Sequence, residues 1–128
     1  MKKDEIIKIT DEWLKSVPDI KAKIRLIDDS LKDNTFDTDT IDKVKHERNR
    51  LRNRLSRIIK AIGTLDEENQ RIICYRYFDG LTYNIIGRTA GVKGQTVSRR
   101  IEKCLLLVGR KMFGLEDELL DELSGVFN

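Results

Sequence analysis

TYNIIGRTAGVKGQTVSRRIEKCLLLV, Thr82 to Val108, holds two helical patterns joined by a tight connection. Ile85 and Ile86 are expected to face inward from the first helix, and Gly87 is small where that helix must approach the second closely. Gly91 occupies the turn, where a positive φ costs glycine little and a β-branched residue much more. Val92 is expected to anchor the turn in the core. Val97, Ile101, Leu105 and Val108 follow at steps of four, four and three, which gives the second helix one buried face. Opposite it lie Gln95, Ser98, Arg99 and Glu102, flanked by Lys93, Thr96, Arg100 and Lys103. Such a helix suits the major groove. Gln pairs with adenine edges, Arg with guanine and Lys with phosphate, and Glu can accept from cytosine. Small residue, turn glycine, core spacing and basic face together read as a helix-turn-helix.

The longer stretch LDEENQRIICYRYFDGLTYNIIGRTAGVKGQTVSRRIEKCLLLV, Leu65 to Val108, resembles region four of bacterial sigma factors, about a third of the chain. The resemblance rests on Ile73 to Tyr77, Gly80-Leu81-Thr82, Ile86-Gly87, Gly91 and Thr96-Val97. It implies that Gln95, Thr96, Arg99 and Arg100 touch bases or nearby phosphates, while Thr82, Tyr83 and Lys103 position the backbone. With Lys93 and Ser98 from the same helix face, these form the DNA-binding set. Thr82 also reads simply as a helix cap, Tyr83 as an aromatic lying over Val92, and Arg88 as a surface residue or a phosphate contact. Gly87 departs from the family, which usually has Ala there. It should weaken the short helix by up to about 1 kcal/mol unless close packing needs it. No stretch upstream resembles the promoter-melting region two. A short chain with a helical N-terminal half and one such domain is similar to phage and prophage late transcriptional regulators of the ArpU and RinA type.

Upstream, Ile6, Ile9, Trp13, Val17, Ile20, Ile24, Ile27 and Leu31 are spaced mostly by three and four, the seam of a helix that packs on another helix. Pro18 divides it into two helices, with Ser16 expected to cap the second. KDNTFDTDT, residues 32–40, reads as a loop. A further helix, from about Asp39 to Ile62, carries Val44, Leu51, Leu55, Ile58 and Ile62, and folds back as an antiparallel, coiled-coil-like hairpin. Such a thin hairpin is expected to pack on the rest of the protein or on a second copy. Thr64 and Glu67 have capping-box spacing, and Asp79-Gly80 supplies a left-handed stop. Leu115, Leu119, Leu123 and Val126 suggest a last amphipathic, acidic helix. The expectation is an all-α protein with a helical hairpin over residues 1–63, a helix-turn-helix bundle over 64–113 and an acidic helix over 114–128.

Of 128 residues, 25 are Lys or Arg and 22 Asp or Glu, yet the formal net charge of +3 hides a strong pattern. Lys43 to Lys60 holds eight bases against Glu47, and Arg88 to Lys111 holds seven against Glu102, whereas residues 114–128 hold five acids and no base. Two basic surfaces suit a polyanionic partner, although the first reads equally well as a solvated helix face. No apolar run approaches the roughly 18 residues of a membrane span, and no signal peptide is recognisable, which points to the cytoplasm. Cys74 and Cys104 fit neither a disulfide framework nor a metal site and read as small buried hydrophobes. His46 sits among charges, Gly91-Val92-Lys93-Gly94 lacks the strands a KH loop needs, and no nucleophile–base set can be assembled. The expectation is therefore no enzyme, no cofactor and no metal.

Three readings follow. The first is a sequence-specific regulator that binds double-stranded DNA, as a homodimer or as a monomer assisted by RNA polymerase. The second is a polymerase-binding protein without DNA specificity of its own. The third is the small DNA-recognition subunit of a phage packaging terminase.

Overall fold

The computed structural model describes residues 2–33 and 36–113. The acidic helix expected over 114–128 lies outside the described residues. The chain forms six helices: α1 (Lys3–Lys15), α2 (Val17–Lys32), α3 (Thr38–Ile62), α4 (Glu67–Tyr77), α5 (Tyr83–Ala90) and α6 (Gly94–Met112). No strand occurs among the described residues, so the fold is all-α.

Local chemistry sets the helix boundaries, in three places differently from the sequence reading. Pro18 falls in the first turn of α2, where its missing N–H leaves no helical bond unmade. Ser16 does not cap α2 with its side chain; its hydroxyl instead donates to the Trp13 carbonyl at 2.6 Å and closes the end of α1. Asp37 caps α3 by accepting from the Thr40 N–H at 2.7 Å. The cap of α4 is Asp66, which accepts from the Asn69 N–H at 2.8 Å, and not Thr64. Thr64 donates its hydroxyl to the Ala61 carbonyl and so helps to end α3. A carboxylate at the cap position also meets the positive end of the helix, which favours Asp66 over a neutral hydroxyl two residues earlier.

Helix α6 is the centre of the packing, touched by α1, α3, α4 and α5. Its buried line is Val97, Ile101, Cys104, Leu105, Val108, Gly109 and Met112. One hydrophobic cluster joins this line to Ile72 and Ile73 of α4, Ile86 of α5, Ile58, Ala61 and Ile62 of α3, and Leu14 and Val17 from the N-terminal helices. The core thus runs across residue 63, and the N-terminal hairpin is seated on the helix-turn-helix. Burial raises the pKa of the Cys104 thiol to about 11, so it packs as a neutral hydrophobe.

The seating of α1 was only partly visible in the apolar spacing. Its most buried line is Ile6, Thr10 and Leu14, continued by Val17 at the start of α2, while Ile9 and Trp13 are half-buried at the flank. Thr10 is fully buried against Gly109 of α6. A Cβ at Gly109 would run into Thr10 Oγ1 and lie 2.6 Å from Ile6 Cγ2, so glycine is what lets the two helices meet. At the other end, Trp13 meets the Phe113 ring edge-on, with centroids 5.3 Å apart. The Arg54 guanidinium lies 4.0 Å over the indole, and Arg57 lies 5.4 Å from it while donating to the Met112 carbonyl. One aromatic thus ties α1, α3 and the end of α6 together.

The first basic cluster is mostly engaged within the molecule. Arg48 and Arg52 both reach Asp28 of α2 at 3.2 Å, Arg50 pairs with Glu47 at 2.6 Å, and Arg54 and Arg57 face Trp13. Lys43, Lys45 and Lys60 make no ion pair among the described residues. The cluster is thus chiefly the electrostatic fastening of the hairpin.

Two outcomes follow. Gly109→Val is expected to destabilise the protein by about 1–3 kcal/mol through overpacking beneath α1, read as a lower midpoint in denaturant unfolding. An unchanged midpoint would mean that α1 is not seated there. The second concerns Tyr77, whose hydroxyl donates to Asp11 of α1 at 2.5 Å. Burial, reinforced by the Asp11 carboxylate, raises the Tyr77 pKa well above its ordinary value. The phenol therefore stays neutral when folded but ionises near pH 10 when unfolded. Its stabilisation is present below about pH 10 and is lost as the pH rises above that. Tyr77→Phe is expected to cost about 1.5–3 kcal/mol at pH 7, with a smaller difference from wild type above pH 10.

Candidate nucleic-acid interface

Thr82 opens α5 by accepting from the Ile85 N–H at 3.3 Å. Gly91 then ends the helix with φ 74°, and the Val92 N–H returns to the Gly87 carbonyl at 2.8 Å. The crossing of α5 and α6 is held close by two glycines. A Cβ at Gly87 would come within 2.5 Å of the Val92 carbonyl oxygen and 3.3 Å of the Gly94 nitrogen, and a Cβ at Gly94 would run into the Asn84 side-chain oxygen. Close packing therefore accounts for glycine at 87. Two inward assignments are corrected: Ile85 is 44% exposed and Val92 36% exposed. Only Ile86 of the isoleucine pair turns inward, because adjacent helical positions lie about 100° apart and α5 is covered on one side.

On α6, Gln95, Thr96, Arg99, Glu102 and Lys103 are exposed, as is Lys93 just before it. Ser98 is half-buried and faces a depression of about 440 Å³ together with Arg76, Thr82, Tyr83, Asn84, Gly94 and Gln95. The starts of α5 and α6 thus open into one recess, which gathers Thr82, Tyr83, Gln95 and Ser98. Arg99, Thr96, Lys93 and Lys103 have no ion pair within the described residues and are free to meet an external anion or base edge. Arg100 differs from them. Its guanidinium pairs with Glu68 of α4 at 2.8 Å, which fastens α6 to α4. Its assigned base or phosphate contact would have to compete with that ion pair.

Besides Gly94, two recess residues were not in the sequence-derived set. Arg76, at the end of α4, stacks 4.0 Å over the Tyr83 ring and donates to the Leu81 carbonyl at 3.2 Å. It both orients Tyr83 and brings a cation to the recess. Asn84, in the first turn of α5, brings an amide there. Arg76 stands in the Ile73–Tyr77 stretch that carries the resemblance but outside the two-helix motif, and Asn84 sits between the motif's marked positions, so neither was assigned a contact. Tyr83 lies against Arg76, where the sequence had suggested Val92 beneath it.

The described residues show no group of three or more His, Cys, Asp or Glu side chains placed to hold a metal. Among them, no helix is long and apolar enough to cross a membrane. His46 is exposed on α3.

Gly87→Ala discriminates between helix propensity and close packing. Propensity alone would stabilise α5 by up to about 1 kcal/mol. The contact with the Val92 carbonyl instead leads us to expect a loss of about 1–3 kcal/mol, together with weakened nucleic-acid binding as α6 shifts. A gain in melting temperature would show that the turn yields.

Residues 61–107 match the family model of Sigma-70, region 4. No curated protein and no solved structure gives a match to the chain. The matched stretch begins at the end of α3 and covers α4, α5 and most of α6, the same elements that build the recess. Over residues 61–107 the chain is similar to Sigma-70, region 4, a DNA-binding helix-turn-helix domain.

Proposed function

We propose that the protein is a sequence-specific regulator of transcription that places α6 in the major groove of promoter DNA. The observation that carries this reading is the unpaired polar and basic run Gln95, Thr96, Arg99 and Lys103 on the exposed face of α6, beside the Thr82–Tyr83 recess. In this reading Gln95 and Arg99 read base edges, and Thr96 and Ser98 contact bases or nearby phosphates. Lys93, Lys103, Thr82 and Tyr83 hold the backbone, with Arg76 bracing Tyr83. Arg100 joins only where a phosphate displaces Glu68. The short helical N-terminal half, seated on a single region-four-like domain, suits a phage or prophage late regulator of the ArpU and RinA type, acting in the cytoplasm.

A second reading draws on a separate cleft of about 290 Å³ between α4 and α5. Ile72, Tyr75, Ile86 and Ala90 give it an apolar floor, with Glu68 and Arg71 among its polar lining. Sigma region 4 domains bind RNA polymerase as well as DNA. This cleft suits a polymerase contact made alongside DNA.

Selection from random duplex DNA at physiological salt tests the main reading, with wild type run beside Gln95→Ala/Arg99→Ala. Wild type is expected to enrich one site. The double variant should lose about 2–6 kcal/mol of discrimination, since one bidentate contact is worth about 1–3 kcal/mol. Lys103→Ala should weaken all sequences alike and reduce the salt slope by about one. Absence of any enriched site, with only salt-sensitive binding left, would reject the autonomous reader and favour the polymerase partner.

A further inference from the structure

The outer part of the α2–α3 hairpin carries an apolar seam that a single neighbour covers only in part. Ile24, Ile27 and Leu31 of α2 and Ile41 and Val44 of α3 are all half-buried, and none of them joins the core cluster. The α3 residues that do join it begin at Leu55. On the outer side of α2, Leu26 is 67% exposed, flanked one turn away on either side by the small residues Ala22 and Ser30.

The charge along this hairpin is polarised. Residues 28–42, at the turn end, hold six aspartates against Lys32, whereas residues 43–60, running back to the root, hold eight bases against Glu47. Asp28, Arg48, Arg50 and Arg52 are already paired within the chain, and the rest keep the two ends opposite in sign. On α2 the root contributes Lys23 and Arg25, which make no ion pair among the described residues. An acidic end and a basic root on one rod are complementary to the same rod turned end for end. A two-fold axis generates that arrangement, because it places one patch against itself in the opposite direction.

We propose that α2 is the contact surface for a second copy of this chain, paired antiparallel about a two-fold axis beside Leu26. Leu26 meets its counterpart, Ala22 of one copy meets Ser30 of the other, and Lys23 meets Asp29, whose pair with Lys32 of its own chain is long, at 3.9 Å, and exposed. Small residues on both sides of the leucine let the helices approach, as ridge-and-groove packing requires. The one like-charge pair in this register, Asp19 with Asp33, falls about 10 Å from the axis, where crossing helices diverge. A contact between two helices of about 24 Å buries less than the roughly 1,200 Å² of a stable interface, so the dimer is weak. It would carry two DNA-reading helices, yet the pairing itself does not depend on what the helix-turn-helix binds.

Sedimentation equilibrium of the full chain without DNA, from about 1 to 500 μM, tests this directly. A monomer–dimer equilibrium with Kd on the order of 10–100 μM is expected, weakening as salt rises. Leu26→Lys should raise Kd by about tenfold or more. Lys23→Glu and Asp29→Lys should each weaken pairing by a few fold, while the two together in one chain regain most of it. Unfolding curves check that the variants, all at exposed positions, keep the monomer intact. A wild type that stays monomeric over the whole range would overturn the proposal. So would a dimer indifferent to Leu26→Lys, or charge reversals that add instead of cancelling. Because no DNA is present, failure of the DNA-reading proposal leaves this result standing, and the converse also holds.

Discussion

Burial of one face of α6 is the constraint on which the remaining structure depends. A nineteen-residue helix offers enough circumference for several neighbours, and here α1, α3, α4 and α5 divide the side that runs from Val97 to Met112. What is left in water is the side that bears Gln95, Arg99 and Lys103. The exposed polar face and the core face are thus two sides of one rigid element, and the packing of one fixes the direction of the other. Rigid placement of this kind is what lets a few side chains discriminate between base pairs.

Close approach is achieved by glycine at three positions of two crossings. Gly87 and Gly94 bring α5 and the turn against the start of α6, and Gly109 brings α1 against its far end. The first two set the direction of α6; the third joins the N-terminal helices to it. Seating α1 on α6 is also what stabilises a hairpin whose own seam is thin. Arg54 and Arg57 reinforce that seat from α3 through Trp13, so residues with the composition of a nucleic-acid surface serve instead as internal fasteners.

Charge therefore has three separate uses in one small chain. Asp28 with Arg48 and Arg52 closes the hairpin, Glu68 with Arg100 fixes α4 to α6, and the bases left unpaired on α6 face outward. Exposed ion pairs contribute little stability one by one, typically up to about 1 kcal/mol. Their larger consequence is selective, since they remove particular cations from the set available to a polyanion. Composition counts all the cations alike; the ion pairs separate Arg99 from Arg100, although they are neighbours in the chain.

The helices, the tight turn and the exposed polar side of α6 were legible in the sequence, because 3.6-residue periodicity, a turn glycine and a run of polar forks are local signals. The matched region 4 domain had likewise been recognisable from residues spread along Leu65 to Val108. Capping was less legible: Thr64 and Asp66 both offer an oxygen at nearly the right place, and the choice between them turns on where α3 ends. Thr10 escaped notice because a hydroxyl interrupts an apolar pattern, yet it is the residue that Gly109 admits. Arg76 was part of the Ile73–Tyr77 stretch, but its place at the recess escaped because it comes from outside the two-helix motif and arrives there only through folding. Sequence alone thus determined which segments are helical and which α6 residues face outward, since both follow from the order of neighbouring side chains. Tertiary structure alone decided that α1 lies on α6, that four arginines of α3 engage α1 and α2 and that Arg100 is paired while Arg99 is free. Those outcomes depend on contacts between residues tens of positions apart, which no local periodicity encodes.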